Sequence, residues 1–432
     1  MNILMMTNTY APHVGGVARS VESFSDALRQ AGHRVLVVSP EFEGEYNDGP
    51  DVVRVPALQR FNGGDFSVRL PVPGFLTERL HEFQPDLIHA HHPFLMGDTA
   101  QRIAAKHDLP IVFTHHTMYE QYTHYVPGDS PALARFVVRL ATEFANRCDH
   151  VIAPSASIGQ TLDERGVARP VTVIPTGVVA DRFVHGNGLR ARQRFHIPAE
   201  AFVIGHVGRL APEKNLRFLA GAVCEYLADH PTAHFLVVGS GPCRETICDI
   251  ARTRDVEARL HCSAGDLGGA DLADAYQAMN VFAFASQSET QGMVLAEAMT
   301  AGVPVVAIDA PGVREVVRDQ RNGRLLQNAD ERQFVAALDW IHQLSAEQRQ
   351  QLDDAVAETA DDFSMQRSCD RLIHVYEDVV KRQRRESSPE EENTWSMILR
   401  QIENEWALLT SVTTSLNDAL FGDDPGEVSE RQ

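Results

Sequence analysis

Lysine is almost missing from this chain. Of its 39 basic side chains only Lys106, Lys214 and Lys381 are lysine. Where arginine is the habit, a lysine marks a position that wants a compact ammonium. Excess positive charge is missing as well. The formal charge is −20, which argues against the basic face of a nucleic-acid binder. The six cysteines form no CxxC pair and no Cys/His spacing of a zinc site, so reduced thiols are expected, with Cys243 and Cys248 on one helix. No segment approaches the roughly 18 apolar residues of a membrane span. The N-terminus has no charged n-region, and Ile3–Met6 reads as a buried strand and not as a signal peptide. A cytoplasmic protein is the expectation.

Short apolar runs alternating with amphipathic stretches are what the chain does have. Ile3–Asn8, VLVVSP, VVRVP, DLIHAHH, IVFTHHT, HVIAPS and VTVIPTG read as strands. The stretches VARSVESFSDALRQAG, DTAQRIAAKHD, ALARFVVRLATEFANRC and ASIGQTLDERG read as helices between them. Continuous apolar strands separated by helices predict a parallel sheet covered on both faces. The pattern restarts after the polar stretch 185–200 with Phe202–Val207, His234–Val238, Leu260–Cys262, Val281–Ala285 and Val303–Ile308. At 432 residues, two domains are the default. The α/β class, with two Rossmann-like doubly wound domains facing a cleft and C-terminal helices, follows. The boundaries expected are 1–185, 186–365, a helix over 366–385 returning to the first domain, and an acidic linker and amphipathic tail over 386–432. That last segment carries 2 basic and 11 acidic residues, almost half the net charge. Its Trp395, Leu399, Ile402, Trp406, Leu409, Leu416 and Leu420 follow alternating spacings of four and three, with Thr413 filling the one polar slot. A helix docked on its own chain, a homo-oligomer seam and membrane-surface binding are the readings open for it.

The residues with chemistry lie at predicted strand ends. Gly208-Arg209 follows a strand end, and Lys214 falls just before or at the start of the next helix, the place where α/β folds hold phosphate. Two cations suit a diphosphate, each through charge-assisted hydrogen bonds of about 1.5–3 kcal/mol; the bland alternative is a surface ion pair with Glu213. Glu289 lies in the loop after VFAFAS, and Glu297 lies on the helix beginning near Gly292. A carboxylate accepting from two hydroxyls is the usual way to hold a ribose. Gly292 admits a ligand to the backbone, and the helix start offers N–H groups. The turn Gly239-Ser240-Gly241-Pro242 can line a base. In the first half, Gly15 and Gly16 stand between strand and helix without the third glycine of a dinucleotide fingerprint. His91, His92, His115, His116 and His124 gather near one predicted sheet edge, with no HExxH or carboxylate pattern to make them a metal site. His116 is the best candidate among them for touching substrate.

Taken together, GGVARSVESFSDALRQAGHRV, HVIAPS, VIPTGV, GHVGRLAPEKNL, VVGSGP and SETQGMVLAEAMTAGVPVVA resemble retaining glycosyltransferases of family 4, with the GT-B fold, over residues 1 to about 380. The resemblance implies a nucleotide-sugar donor as co-substrate and no cofactor or metal. It implies that Arg209 and Lys214 hold the donor diphosphate. Glu289 then meets the sugar hydroxyls with the backbone of Gln291, Gly292 and Met293, while Glu297 holds the ribose. Gly16 approaches the donor phosphate, and His116 the sugar near its reacting carbon. Asn280 stands where the family commonly has Asp, a departure expected to touch packing near the base pocket.

HHPFLMG and THHTMYEQYTHYVP resemble the diacylglycerol-glucosylating subgroup, as does Gln291 where many relatives have Phe. His92, Tyr119, Tyr122 and His124 are the acceptor-side candidates. The acceptor implied is a membrane lipid, with peripheral contact at the inner membrane face, or else a soluble sugar or small molecule. UDP-glucose is the donor expected. A nucleotide-sugar epimerase would need no acceptor, and a phosphorylase would need a pyridoxal-phosphate lysine from a set of three. A non-catalytic scaffold that binds an NDP-sugar is the rival from another class.

Overall fold

The computed structural model describes residues 1–12, 15–42, 48–58, 68–69, 76–119, 130–286 and 289–386. The chain forms two compact units. Among the described residues, the first holds Met1–Pro154, Gly159–Ile174 and 369–386; the second holds Ser155–Ile158 and Pro175–Ser368. The main crossing thus falls at 174/175, ahead of the 185/186 division drawn from sequence.

The first unit contains β1 (Asn2–Met6), β2 (Arg34–Pro40), β3 (Val52–Val55), β4 (Ala57–Leu58), β5 (Val68–Arg69), β6 (Leu87–Ala90), β7 (Ile111–Thr114), β8 (His150–Ala153) and β9 (Val171–Val173). Seven of these form one parallel sheet in the order β3-β2-β1-β6-β7-β8-β9, and β4 and β5 make a separate antiparallel pair. The order reverses between β1 and β6, so loops following these strands open at a topological switch point. The helix Met365–Glu386 braces this sheet: Tyr376 Oη lies 2.6 Å from His89 Nδ1, and Arg384 reaches Asp86 at 3.4 Å.

The second unit contains β10 (Phe202–Val207), β11 (Ala233–Val238), β12 (Leu260–Cys262), β13 (Val281–Phe284), β14 (Val305–Ile308) and β15 (Gly323–Leu326). All pair in parallel, in the order β12-β11-β10-β13-β14-β15. Both faces of this sheet are covered. Val203, Val207, Phe282, Phe284, Val305 and Ala307 feed one apolar cluster, while Ile204, Val281, Ala283, Val306 and Ile308 feed the other. This is the period-two alternation expected of strands, with neither face polar. The switch point here lies between β10 and β13.

Two expectations are corrected. Cys243 is the N-cap of the helix Arg244–Thr253 and stands outside it, whereas Cys248 is inside. Asn280 precedes β13 and lies at the N-terminal edge of the parallel sheet, opposite the edge reached by Gly208. Its Oδ1 accepts from Val203 N at 2.8 Å and from Arg192 Nη2 at 2.9 Å. Arg192 is 9% exposed and also donates to the carbonyls of Ala201 and Ala278, each at 2.9 Å, and of Ala199. Burial lowers its pKa, opposed by the Glu200 carboxylate. Asn280→Asp gives this buried guanidinium a carboxylate at hydrogen-bonding distance. The variant is expected to be more stable by about 1–2 kcal/mol, a rise in melting temperature of about 2–4 °C per kcal/mol. A lower melting temperature would show that carbonyls alone satisfy Arg192.

Among the described residues, no helix is long and apolar enough to cross a membrane. The seam expected in the tail, and any oligomer built on it, lies outside them.

Candidate active site

At the switch point of the second unit, two loops are locked together by backbone. Leu210 N–H donates to Ser240 O at 2.7 Å, and Cys243 N–H donates to Leu210 O at 2.8 Å. Gly239 and Gly241 have φ of +142° and +147°, and a Cβ on either would run into the backbone of Gly208 or Leu210. Gly241, singled out as a donor-side residue, is therefore required by loop packing already. Gly208 itself has φ +154°. The chain then makes a 3₁₀ turn, Pro212–Lys214, and enters the helix Leu216–Asp229.

That turn delivers Lys214 to Glu289. Lys214 Nζ pairs with Glu289 Oε1, the two side chains being 22% and 17% exposed. They are 75 residues apart in sequence, and the adjacency of β10 and β13 brings them together. Arg209 pairs with Glu213 on the same turn, with 54% of its side chain exposed. An exposed pair of this kind contributes about 0–1 kcal/mol. The surface ion pair with Glu213 considered from sequence is thus present.

The loop after β13 leads to Gly292, the N-cap of the helix Met293–Thr300, with φ +70°. Only glycine takes this conformation without strain. The helix start has no side-chain cap and no acidic residue in its first turn. Its N–H groups and the positive end of its dipole favour an anion. The loop is fixed on two sides. Gln291 Nε2 donates to Thr176 O at 2.6 Å, while Thr176 N–H donates to Gln291 Oε1 at 2.8 Å. A Cβ on Gly312, whose φ is +77°, would lie 2.7 Å from Gln291 N. One turn into the helix, Glu297 is 5% exposed and accepts from Tyr276 Oη at 2.8 Å.

Sequence reasoning missed Tyr276, Gly312, Thr176 and His206. His206, in β10, is 1% exposed; its Nδ1 lies 3.1 Å from Ala283 O and its Nε2 is buried without a partner. Burial pushes its pKa down to about 4, against the pull of the Ala283 carbonyl. A histidine within the apolar run FVIGHV was the one signal available for it. Tyr276 and Gly312 had none, because their partners lie on other elements.

In the first unit, Gly15 is the extended N-cap of the helix Gly16–Gln30. A Cβ on Gly16 would meet nothing within 4 Å, so packing does not demand glycine there. His116 follows β7, and its Nε2 lies 3.0 Å from His91 Nδ1. Burial pushes its pKa down to about 4, so the ring is neutral at pH 7. His92 is 9% exposed, and its Nδ1 accepts from Asn8 N–H at 3.1 Å; it braces the loops after β1 and β6. Tyr119 packs edge-on against Phe94 and His115, at ring separations of 5.2 and 5.7 Å. Tyr122 and His124 lie outside the described residues. Among those described, no group of three or more His, Cys, Asp or Glu is arranged to hold a metal ion.

Comparison with known proteins agrees with this architecture. The family "Glycosyltransferase Family 4" matches residues 14–182, and "Glycosyl transferases group 1" matches residues 189–359. The chain is 27% identical over 347 residues to an alpha-monoglucosyldiacylglycerol synthase of Acholeplasma laidlawii, covering 77% of this chain and 86% of that protein. It is 30% identical over 338 residues to a GDP-mannose-dependent alpha-mannosyltransferase of Mycobacterium tuberculosis, covering 76% and 84%. Anabaena Alr3699/HepE, solved in complex with UDP-glucose, has the same fold with a TM-score of 0.66 at 20% identity, covering 87% of this chain and 99% of that one. With two parallel Rossmann-like sheets and both halves of its sequence matched, the chain belongs to glycosyltransferase family 4 and has the GT-B fold.

Proposed function

We propose that this glycosyltransferase moves a hexose, glucose from UDP-glucose in the first instance, to a hydroxyl of a membrane lipid such as diacylglycerol. In this reading it retains the anomeric configuration and needs no metal. The observation that carries the proposal is the Lys214–Glu289 pair at the switch point, on a unit that also holds the uncapped helix start at Gly292. Lys214 and Arg209 neutralise the leaving diphosphate, the task a divalent cation performs elsewhere. The N–H groups after Gly292 add to that. Glu289 accepts hydrogen bonds from the sugar hydroxyls beside the backbone of Gln291, Gly292 and Met293. Glu297, aimed by Tyr276, takes the ribose hydroxyls. In the first unit, His116 meets a substrate hydroxyl, and the Gly15-Gly16 helix start takes a phosphate pressed against backbone.

The synthase from Acholeplasma supports the lipid acceptor, while the mannosyltransferase keeps GDP-mannose as the second donor to try. A lipid acceptor also implies peripheral contact with a membrane. The test is incubation of the purified protein with labelled UDP-glucose or GDP-mannose, diacylglycerol micelles and excess EDTA. Labelled α-glycolipid is the expected product. Label in the aqueous phase alone would move the acceptor to a soluble sugar or small molecule. Loss of transfer in EDTA would overturn metal independence, and binding of donor without turnover would leave a scaffold.

A further inference from the structure

The two strand ends that present His91 and His116 are neighbours, since β6 pairs with β7. Between the rings, His91 Nδ1 and His116 Nε2 are 3.0 Å apart, and the rings are tilted by 24°. Burial keeps both imidazoles neutral near pH 7. A neutral imidazole has one N–H and one lone pair, so one proton lies between the rings and two arrangements exist. If His116 Nε2–H were the donor, His91 would carry its own proton on Nε2. That atom is buried and has no partner. Nor can the ring beneath supply one: His89, 4.1 Å away by centroids, has its nitrogens engaged by Tyr376 Oη at 2.6 Å and Thr114 Oγ1 at 2.7 Å. An orphaned buried N–H is rarer and costlier than an orphaned lone pair. The favoured arrangement therefore puts the His91 proton on Nδ1, donating to His116 Nε2.

We infer that His91 is a positioning residue that fixes His116 as its Nδ1–H tautomer, so that His116 offers substrate a hydrogen-bond donor and not a base. The identity of the substrate oxygen rests on the function proposed above; the tautomer does not. With its lone pair already occupied by His91, His116 has no acceptor nitrogen left for a substrate proton. Its part is to hold an oxygen in place; as the sugar–phosphate bond breaks and the new glycosidic bond forms, the proton of the acceptor hydroxyl passes to an oxygen of the departing diphosphate.

The experiment is long-range ¹H–¹⁵N correlation spectroscopy on the full-length protein labelled at histidine, with His116→Gln used to assign the signal. The wild type is expected to show His116 protonated at Nδ1; protonation at Nε2 overturns the inference. His91→Leu frees His116 Nε2, and is expected to populate the other tautomer and lower kcat/KM by about tenfold. His91→Asn restores an amide donor near the position of Nδ1, and is expected to recover both the tautomer and most of the activity. If His91→Leu fails to fold, the wild-type and His91→Asn spectra still decide. An Nδ1–H tautomer in a protein that transfers no sugar would sink the proposed function and leave this inference standing. Transfer by a protein with Nε2–H at His116 would do the reverse.

Discussion

Lys214→Ala is expected to lower kcat/KM for sugar transfer by about 100-fold or more, the range seen when one donor to a developing anion is removed. Charge on the leaving diphosphate grows toward the transition state, so kcat should fall along with the rise in donor KM. The substitution also strips the ammonium from Glu289, which is only 17% exposed. In the proposed site, one change therefore disturbs both donor-side roles. Lys214→Arg should rescue poorly. The pair sits in a part-buried space that a planar guanidinium fills differently from a compact ammonium. Steady-state kinetics with varied donor at saturating acceptor checks this, and unaltered constants for Lys214→Ala would remove the lysine from the site.

Mild acid is expected to unfold this protein early, beginning with the first unit. His89, His91, His115 and His206 are each no more than 2% exposed. Burial pushes His89 and His115 down to about 3, His206 down to about 4, and His91 well below the ordinary range. In every case the folded-state pKa is lowered, so below the unfolded value near 6.5 the unfolded chain binds more protons. Stability is then intact above about pH 6.5 and drains as pH falls from there toward the folded values. Each histidine's slope reaches about 1.4 kcal/mol per pH unit well below pH 6.5 and averages about 1 between pH 6.5 and 5.5, where the unfolded ring is only partly protonated. Four together remove about 4 kcal/mol over that interval, of which about 3 falls on the first unit, a large part of the stability of a typical domain. Three of the four lie in the first unit, which should go first. Urea denaturation at pH 7.5 and 5.5 measures it, and a midpoint that ignores pH would contradict the burial of these rings as neutral species. His89→Gln should flatten the slope by one histidine's share.

The sheets were legible because their strands are continuous apolar runs bounded by helices with clear polarity. ILMM, VLVV and FVIGHV leave little alternative. β15 was not legible: GRLL has only two apolar side chains, and Arg324 is spent on Asp319. Its place as a strand depends on pairing with β14, which no local pattern records. The same distinction runs through the site. The placement of Glu289, Lys214, Gly292 and Glu297 after strand ends and around a helix start was legible, because strand ends and helix starts are written in sequence. That Lys214 reaches Glu289 was not, since it follows from the lateral order of β10 and β13. Tyr276 reaches Glu297 across two helices for a similar reason. The histidines of the first unit lie between these cases. Their position at strand ends was visible, but their division into His116 with a free nitrogen, His92 as a brace and His91 as a partner is tertiary.

The clasp between Gln291 and Thr176 bears on how the sequence can drift. The amide of Gln291 reads the peptide group of residue 176 and not its side chain. A substitution at 176 that keeps the backbone as it is leaves the same N–H and C=O in place, whereas at 291 few side chains besides glutamine can answer both. Gln291→Leu is therefore expected to loosen the loop ahead of Gly292, while Thr176→Ser leaves both halves of the clasp standing.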